Sequence, residues 1–150
     1  LSNLAFGGAT IAACQAFSER LLTTRKTNGK IIIYAGDNDL GSGLSVSEVI
    51  RDYKNFLITL TELLPNFEVL VISIKPCPFR RHLRKEIEEV NFWLEKYINN
   101  KENWSFIDIH SSMLDAYGEN KNAFYSDDPL HMNDVGYALL GKKVRMSLNS

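Results

Sequence analysis

The sequence has little of several features that would assign it to a specialised class. Its 150 residues include two cysteines, Cys14 and Cys77, and no CxxC pair, which argues against a zinc site or a disulfide framework. The 17 basic and 18 acidic residues nearly cancel, so no charge excess points to nucleic acid as a partner. No apolar run reaches the length of about 18 residues that a membrane-spanning helix needs.

Other absences narrow the organisation of the chain. The apolar opening has no basic flank, so it does not resemble a convincing signal peptide. Internal repeats and low-complexity tracts are also missing. With 45% hydrophobic residues the chain is long enough for one hydrophobic core, and we expect a single domain over residues 1–150.

What is present indicates an α/β protein. The continuous apolar runs 30–35 and 69–74 are rich in β-branched residues and predict central parallel strands buried on both faces. A weaker strand is predicted at 104–109. Segments of helical period cover 11–22, 46–64 and 85–98, and Asn133 is a plausible N-cap for a terminal helix. This alternation predicts a parallel sheet with helices on both faces, and ligands bind such sheets at the carboxyl ends of the strands.

Three polar clusters fall at that edge of the predicted sheet. The segment Gly36-Asp37-Asn38-Asp39 follows the first strand directly. Gly7 and Gly8 precede the first helical segment, where a backbone N–H could face an anion. Taken alone, each of these two clusters is more often an ordinary turn.

The third cluster, 127–131, comes just before the terminal helix. His131 is suited to shuttle a proton near neutral pH, and a nearby carboxylate could orient its ring. Asp127 and Asp128 compete for that role, and a lone histidine before a helix is more often a solvated or capping residue. Together the three clusters are more specific than any one of them.

Taken in chain order, the clusters resemble the conserved blocks of SGNH (GDSL-type) hydrolases. Residues 3–8 are similar to the second block, 36–39 to the GxND block, and 128–131 to the DxxH block. The segments 34–39, 73–76 and 134–137 are similar to a lysophospholipase-like bacterial branch of GDSL-like esterases. The resemblance extends along the whole chain and implies a flavodoxin-like, three-layer α/β/α fold.

The resemblance also implies a serine esterase that works through an acyl-enzyme. His131 would be the general base, and Asp128 would orient it. Gly8, through its backbone N–H, and Asn38, through its side-chain amide, would form the oxyanion hole. Neither a metal nor an organic cofactor is implied. The expected partner is a small-molecule ester, and a homo-oligomer is possible.

The block that supplies the catalytic serine is missing from these residues. It would precede Asn3, and neither Ser42 nor Ser126 lies in a glycine-flanked turn between a strand and a helix. We therefore expect the nucleophile upstream of Leu1, and the first strand of the family's sheet with it. The chain would then be N-terminally incomplete, with unpaired sheet edges along Asn3 and along 31–34.

Several alternatives stay open at this stage. A non-catalytic α/β module that keeps the pocket would bind a ligand without turnover, and a flavodoxin-like domain would bind a nucleotide, although GxGxxG and GK[ST] signatures are absent. Cys14 is interpreted as a small buried hydrophobe, and Cys77 as an ordinary loop cysteine despite its basic neighbours. Arg80 and Arg81 could contact an anionic part of a substrate, but solvated arginines beside a helix start are the commoner case, and both are left unassigned. The resemblance leaves short acyl esters, acetylated sugars and lysophospholipids as substrates, and a cytoplasmic or a secreted location.

Overall fold

The computed structural model describes residues 4–22 and 28–149, and Leu21 by its backbone alone. Within these ranges the strands are β1 (Gly29–Ile33), β2 (Phe67–Ile72) and β3 (Trp104–Ile107). They form a parallel sheet in the order β1-β2-β3, with Val71 opposite Ile33 on one side and opposite Phe106 on the other. All three strands therefore end at the same edge of the sheet.

The helices of the described chain alternate with the strands. They are α1 (Ile11–Leu21), α2 (Asp37–Gly41), α3 (Val46–Leu63), α4 (Arg84–Asn99) and α5 (Asp134–Leu148). Ser45 and Glu48 start α3 with a capping box, in which each side chain bonds the other's backbone N–H. The side chain of Asn133 accepts from two N–H groups at the start of α5, so the predicted N-cap is confirmed.

The sheet separates two hydrophobic clusters. Val69 and Val71 of β2 face a cluster shared with α1, α3 and α4, whereas Leu70 and Ile72 face a second cluster, against which α5 packs. Because side chains alternate between the faces of a strand, β2 must be apolar at every one of these positions. The predicted three-layer α/β/α fold is confirmed.

The prediction of a central position is right for β2 and wrong for β1. Val69 to Ile72 are all buried, but β1 pairs only with β2 in the described chain, and Ile32 and Tyr34 are each 36% exposed. Its continuous apolar run does not distinguish a central strand from an edge strand. The outer edge of β1 agrees with the unpaired edge that the sequence predicts along 31–34.

All three predicted strands end two residues early. The ladders of β1, β2 and β3 stop at Ile33, Ile72 and Ile107, although the predicted strands continue to 35, 74 and 109. Beyond the end of β2, the buried side chain of Asn91 forms hydrogen bonds with the backbone as a neighbouring strand would. Its amide accepts from the N–H of Ile74 at 2.7 Å and donates to the C=O of Ile74 at 2.8 Å.

Two further findings concern the ends and helices of the chain. Asn3, the first residue of the predicted second block, lies outside the described residues. No helix among the described residues is long and apolar enough to cross a membrane.

Candidate active site

The predicted oxyanion donors come from neighbouring segments. Asn38, in the first turn of α2, donates from Nδ2 to the carbonyl of Ala9 at 3.0 Å, so it lies beside the turn that contains Gly8. Gly8 is exposed and has a φ of +71°, a backbone conformation that glycine adopts readily and other residues avoid. A primary amide carries two N–H groups, so the bond to Ala9 leaves Asn38 a second donor for a ligand.

A second contact joins the same two segments. Asp39 is 1% exposed, and its carboxylate accepts from the N–H of Ile11, the first residue of α1, at 3.0 Å and 3.3 Å. Burial raises the pKa of Asp39, and the backbone N–H of Ile11 acts against that rise. Asn38 and Asp39 together therefore bind α2 to the beginning of α1.

The predicted acid and base lie on one loop before α5. Nδ1 of His131 is 2.5 Å from Oδ2 of Asp128, and Oδ1 of Asp128 accepts from the N–H of His131 at 2.9 Å. The side-chain hydrogen bond from His131 is the main reason that the pKa of Asp128 falls to about 2. The loop thus brings the carboxylate of Asp128 into contact with the imidazole ring, whereas the neighbouring Asp127 is exposed. The Nε2 atom of the ring points away from Asp128 and is free to meet a reactant, because the His131 side chain is 67% exposed.

The two halves of the candidate site are connected through residues 75–80, which we call the bridging loop. On one side, Lys75 bonds Asp37, the residue before Asn38, at 2.8 Å. On the other side, the N–H of Phe79 donates to the carbonyl of Pro129 at 3.3 Å. The loop thus contacts both the segment of the predicted oxyanion donor and the segment of the predicted base.

Sequence reasoning missed an ion-paired cluster next to Asn38. Asp37 lies between Lys75 and Arg80, and the three side chains are only 12%, 7% and 14% exposed. Arg80, which the sequence left unassigned, is therefore not one of the solvated arginines that are the commoner case, whereas Arg81 is, with a side chain that is 66% exposed. A lysine directly after an apolar strand was the available signal, since a lysine is seldom buried without a partner.

The two cysteines and the two serines singled out by the sequence analysis are each buried, partly buried or engaged in a hydrogen bond. Cys77 is buried, and its Sγ lies 3.8 Å from the carbonyl of Pro129. Cys14 is partly buried against the core, and burial raises the pKa of its thiol. Ser42 and Ser126 donate their hydroxyls to the carbonyls of Asp39 and Met132.

A small pocket lies beside the bridging loop, outside the candidate site. Cys77, Arg84 and His110 are among its lining residues, and none of the four predicted site residues lines it. His110 is buried, and this burial lowers its pKa. Among the described residues, no three His, Cys, Asp or Glu side chains converge as a metal site would require.

The three-layer α/β/α fold, with the candidate site at the carboxyl edge of its sheet, is the fold that the resemblance to GDSL-type hydrolases implies. The model of the GDSL-like Lipase/Acylhydrolase family matches residues 1–139, and the chain belongs to that family. The general activity of this family is the hydrolysis of esters.

Solved structures share the fold at low sequence identity. A member of the lipolytic protein G-D-S-L family from Veillonella parvula has a TM-score of 0.78 at 19% identity, with 93% of this chain and 74% of that chain covered. A GDSL-like lipase from Bacteroides thetaiotaomicron has a TM-score of 0.77 at 18% identity, with coverages of 95% and 72%. A carbohydrate esterase of family 3 from Talaromyces cellulolyticus has a TM-score of 0.74 at 17% identity, with coverages of 94% and 67%. No curated protein sequence matches the chain.

Proposed function

We propose that the protein is a serine esterase that cleaves carboxylic esters through an acyl-enzyme. His131 is the general base, Asp128 orients it, and the N–H of Gly8 and the side-chain amide of Asn38 bind the oxyanion. The nucleophile is a serine that lies outside these 150 residues. The observation that carries the proposal is the contact between Asp128 and His131, which occupies Nδ1 and directs Nε2 outward.

The reaction proceeds by two acyl transfers. The serine Oγ attacks the carbonyl carbon of the ester while Nε2 of His131 takes the hydroxyl proton. The negative charge that develops on the carbonyl oxygen is stabilised by N–H donors from Gly8 and Asn38. The carbon–oxygen bond of the ester then breaks, and the alcohol leaves with the proton from His131. Water attacks the acyl-enzyme in the same manner and releases the acid and the free serine.

Asp128 supports this cycle because it stays ionised while the histidine changes its charge. Its pKa of about 2 lies far below the range in which a histidine titrates. The carboxylate therefore stabilises the imidazolium that forms in each transition state and holds Nδ1 protonated between them. Asp127 makes no comparable contact in the described chain, which supports Asp128 as the orienting acid.

Fluorophosphonate labelling of the natural full-length protein, followed by peptide mapping, tests the proposal. Labelling of a serine outside residues 1–150 is the expected result, since the probe traps an activated serine. Labelling at Ser42, Ser126 or another serine within this chain would overturn the assignment. A protein that is not labelled and hydrolyses no ester would instead be a non-catalytic binding module.

The roles of the acid and the base are separated by matched variants of the full-length protein. His131→Ala should lower kcat by about a thousandfold or more, because the members of a triad act as a unit. Asp128→Asn should lower kcat far more than Asp127→Asn, which removes the neighbouring exposed carboxylate and serves as the control. Equal losses in the two aspartate variants would argue against Asp128 as the orienting acid.

A further inference from the structure

We propose that Lys75 and Arg80 are positioning residues for the oxyanion donor Asn38, and that they act on it through Asp37. The inference deepens the proposed function and rests on it, because it requires Asn38 to contact the reacting ester. Neither Lys75 nor Arg80 is the orienting acid, the general base or an oxyanion donor. Their effect is to hold α2, the helix that carries Asn38, in one position.

The two cations hold Asp37 by its side chain and its backbone. Nζ of Lys75 lies 2.8 Å from Oδ2 of Asp37. Nη1 of Arg80 donates to Oδ1 of Asp37 and also to its backbone carbonyl, the latter at 2.9 Å. Because Asp37 is the first residue of α2 and Asn38 the second, these bonds determine where the peptide plane next to Asn38 lies.

The helix that carries Asn38 cannot position itself. It has five residues, and so short a helix has no stability of its own in water. Its opposite side is attached to α1 by the bonds of Asn38 and Asp39. The bonds of Asp37 supply the attachment on the side of the bridging loop. Asn38 thus lies between two anchors, and the loss of either one would let its amide move.

Arg80 also packs on the last turn of the same helix. A Cβ added to Gly41 would lie 2.5 Å from Cζ of Arg80, so the guanidinium group occupies the space of a side chain there. Arg80 therefore contacts both the first and the last residue of α2. Such contacts restrict rotation of the helix as well as its translation.

The bridging loop is itself held by the core, so it can serve as a fixed support. The side chain of Asn91 bonds both backbone groups of Ile74, directly before Lys75. The hydroxyl of Tyr125 donates to the carbonyl of Pro76 at 2.6 Å. Tyr125 lies at the start of the segment that ends at His131. The bridging loop is therefore attached both to the segment of Asn38 and to the segment of the general base.

Stability alone is a weak reason for this cluster. Two cations share one carboxylate in a nearly buried place, and the cost of removing such charges from water often equals or exceeds their attraction. The cluster does fix the orientation of the Asp37 side chain, because Lys75 and Arg80 each bond a different carboxylate oxygen. A displacement of a catalytic group by about 1 Å can cost roughly a hundredfold in rate, so an Asp37 that is held in one orientation matters for the position of Asn38.

The test measures ester hydrolysis by the full-length protein with p-nitrophenyl acetate as the probe. Lys75→Met and Arg80→Met should each lower kcat by about 10- to 100-fold and leave KM within about twofold, because an oxyanion donor acts in the transition state. Arg81→Met is the matched control, since its neighbouring guanidinium pairs with Glu119 in solvent. An unchanged kcat in both Lys75→Met and Arg80→Met would overturn the proposal.

A double-mutant cycle separates positioning of Asn38 from a general loss of structure. In an Asn38→Ala background, Lys75→Met should change kcat by less than about twofold, because the group that it positions is gone. Lys75→Arg, which keeps a cation beside Asp37, should recover part of the lost rate. Equal losses with and without Asn38 would show that Lys75 acts elsewhere.

The side-chain amide signal of Asn38 provides a readout that does not depend on turnover. In proton–nitrogen NMR spectra of the full-length protein, Lys75→Met and Arg80→Met should shift the Asn38 side-chain amide resonances, and Arg81→Met should not. If the wild type neither hydrolyses esters nor reacts with fluorophosphonate, the proposed function fails, and these resonances still test the link to Asn38. Resonances that stay in place in both variants would refute that link. If one variant fails to fold, the other, which also leaves a neutral ion pair, decides the result.

Discussion

The side-chain amide of Asn91 bonds both the N–H and the C=O of Ile74, at 2.7 Å and 2.8 Å. Asn91 lies on α4 and is 8% exposed, and Ile74 is fully buried just beyond the end of β2. The amide has the donor and the acceptor of a peptide group, so it pairs this backbone as a neighbouring strand would. This contact fixes the start of the bridging loop.

We predict that Asn91→Leu lowers the free energy of unfolding by about 2 to 6 kcal/mol. The substitution leaves one buried N–H and one buried C=O without partners, and each such group costs about 1 to 3 kcal/mol. Urea unfolding measures the change. Asn99→Leu, at an exposed position of the same helix, is the control and should stay within about 0.5 kcal/mol of the wild type. A loss below about 1 kcal/mol in Asn91→Leu would argue that water replaces the amide.

Gly36 and Gly43 form a matched pair, because both have a φ of +97°. A Cβ at Gly36 would lie 2.7 Å from Cδ1 of Ile74, whereas a Cβ at Gly43 meets nothing within 4 Å. Gly43→Ala should cost about 1 to 2 kcal/mol from backbone strain alone. Gly36→Ala should cost about 1 to 3 kcal/mol more, because the core must also accommodate the methyl group. Thermal or urea unfolding compares the two variants, and equal losses would mean that Ile74 moves aside freely.

The ion-paired cluster predicts an order of stabilities. Asp37→Asn leaves two nearly buried cations without a counter-charge and should cost about 3 to 5 kcal/mol. Lys75→Met and Arg80→Met each leave one neutral pair and should cost less, about 1 to 2 kcal/mol. Urea unfolding of the three variants at neutral pH checks this order. If Lys75→Met proves as costly as Asp37→Asn, the pair that remains with Arg80 is not enough to stabilise the carboxylate, and the predicted order is wrong.

The contact between Asp128 and His131 predicts a pH dependence with a definite sign. The pKa of Asp128 is depressed from its ordinary 3.8 to about 2, so the ionised carboxylate favours the folded loop. That contribution is complete above about pH 4 and is lost as the pH falls through about 2. Carbon NMR titration of the Asp128 carboxyl should give a midpoint near 2 in the wild type.

The same titration in His131→Ala should move the Asp128 midpoint upward, because the largest cause of the depression is removed. Asp115 is the internal control. Its pKa is lowered by backbone N–H groups of its own loop, including those of Glu119 and Tyr117, and His131 takes no part. A midpoint for Asp128 that stays near 2 in His131→Ala would assign the depression to the backbone of the loop instead.

Much of the fold could be predicted from local patterns. The apolar run of β2 and the helical period of α3 and α4 place these elements within two residues of their observed bounds. A strand buried on both faces is apolar at every position, and a helix buried on one face is apolar at every third or fourth position. The contact between Asp128 and His131 was similarly accessible, since three residues across a turn bring two side chains within reach. The spacing by itself did not choose between Asp127 and Asp128, because both allow a contact, and the choice of Asp128 came from the resemblance to the DxxH block.

Local patterns could not predict the edge position of β1, which only the family resemblance indicated, or the cluster around Asp37, which the sequence analysis missed. An apolar run has the same composition in a central strand and in an edge strand, and the strand's neighbours decide which one it is. Asp37 and Lys75 are 38 residues apart in the chain. Only the parallel alignment of β1 and β2, which ends both strands at one edge, brings the two residues together.

The sequence by itself determined the class of fold, the order of its elements and the residue types available at the carboxyl edge, because periodicity and turn chemistry are local properties. The tertiary structure alone decided that Arg80 is paired and largely shielded from solvent, that Asn91 completes the end of β2, and that the bridging loop contacts both halves of the candidate site. Each of these contacts joins residues far apart in the chain, and their distances depend on how the layers pack.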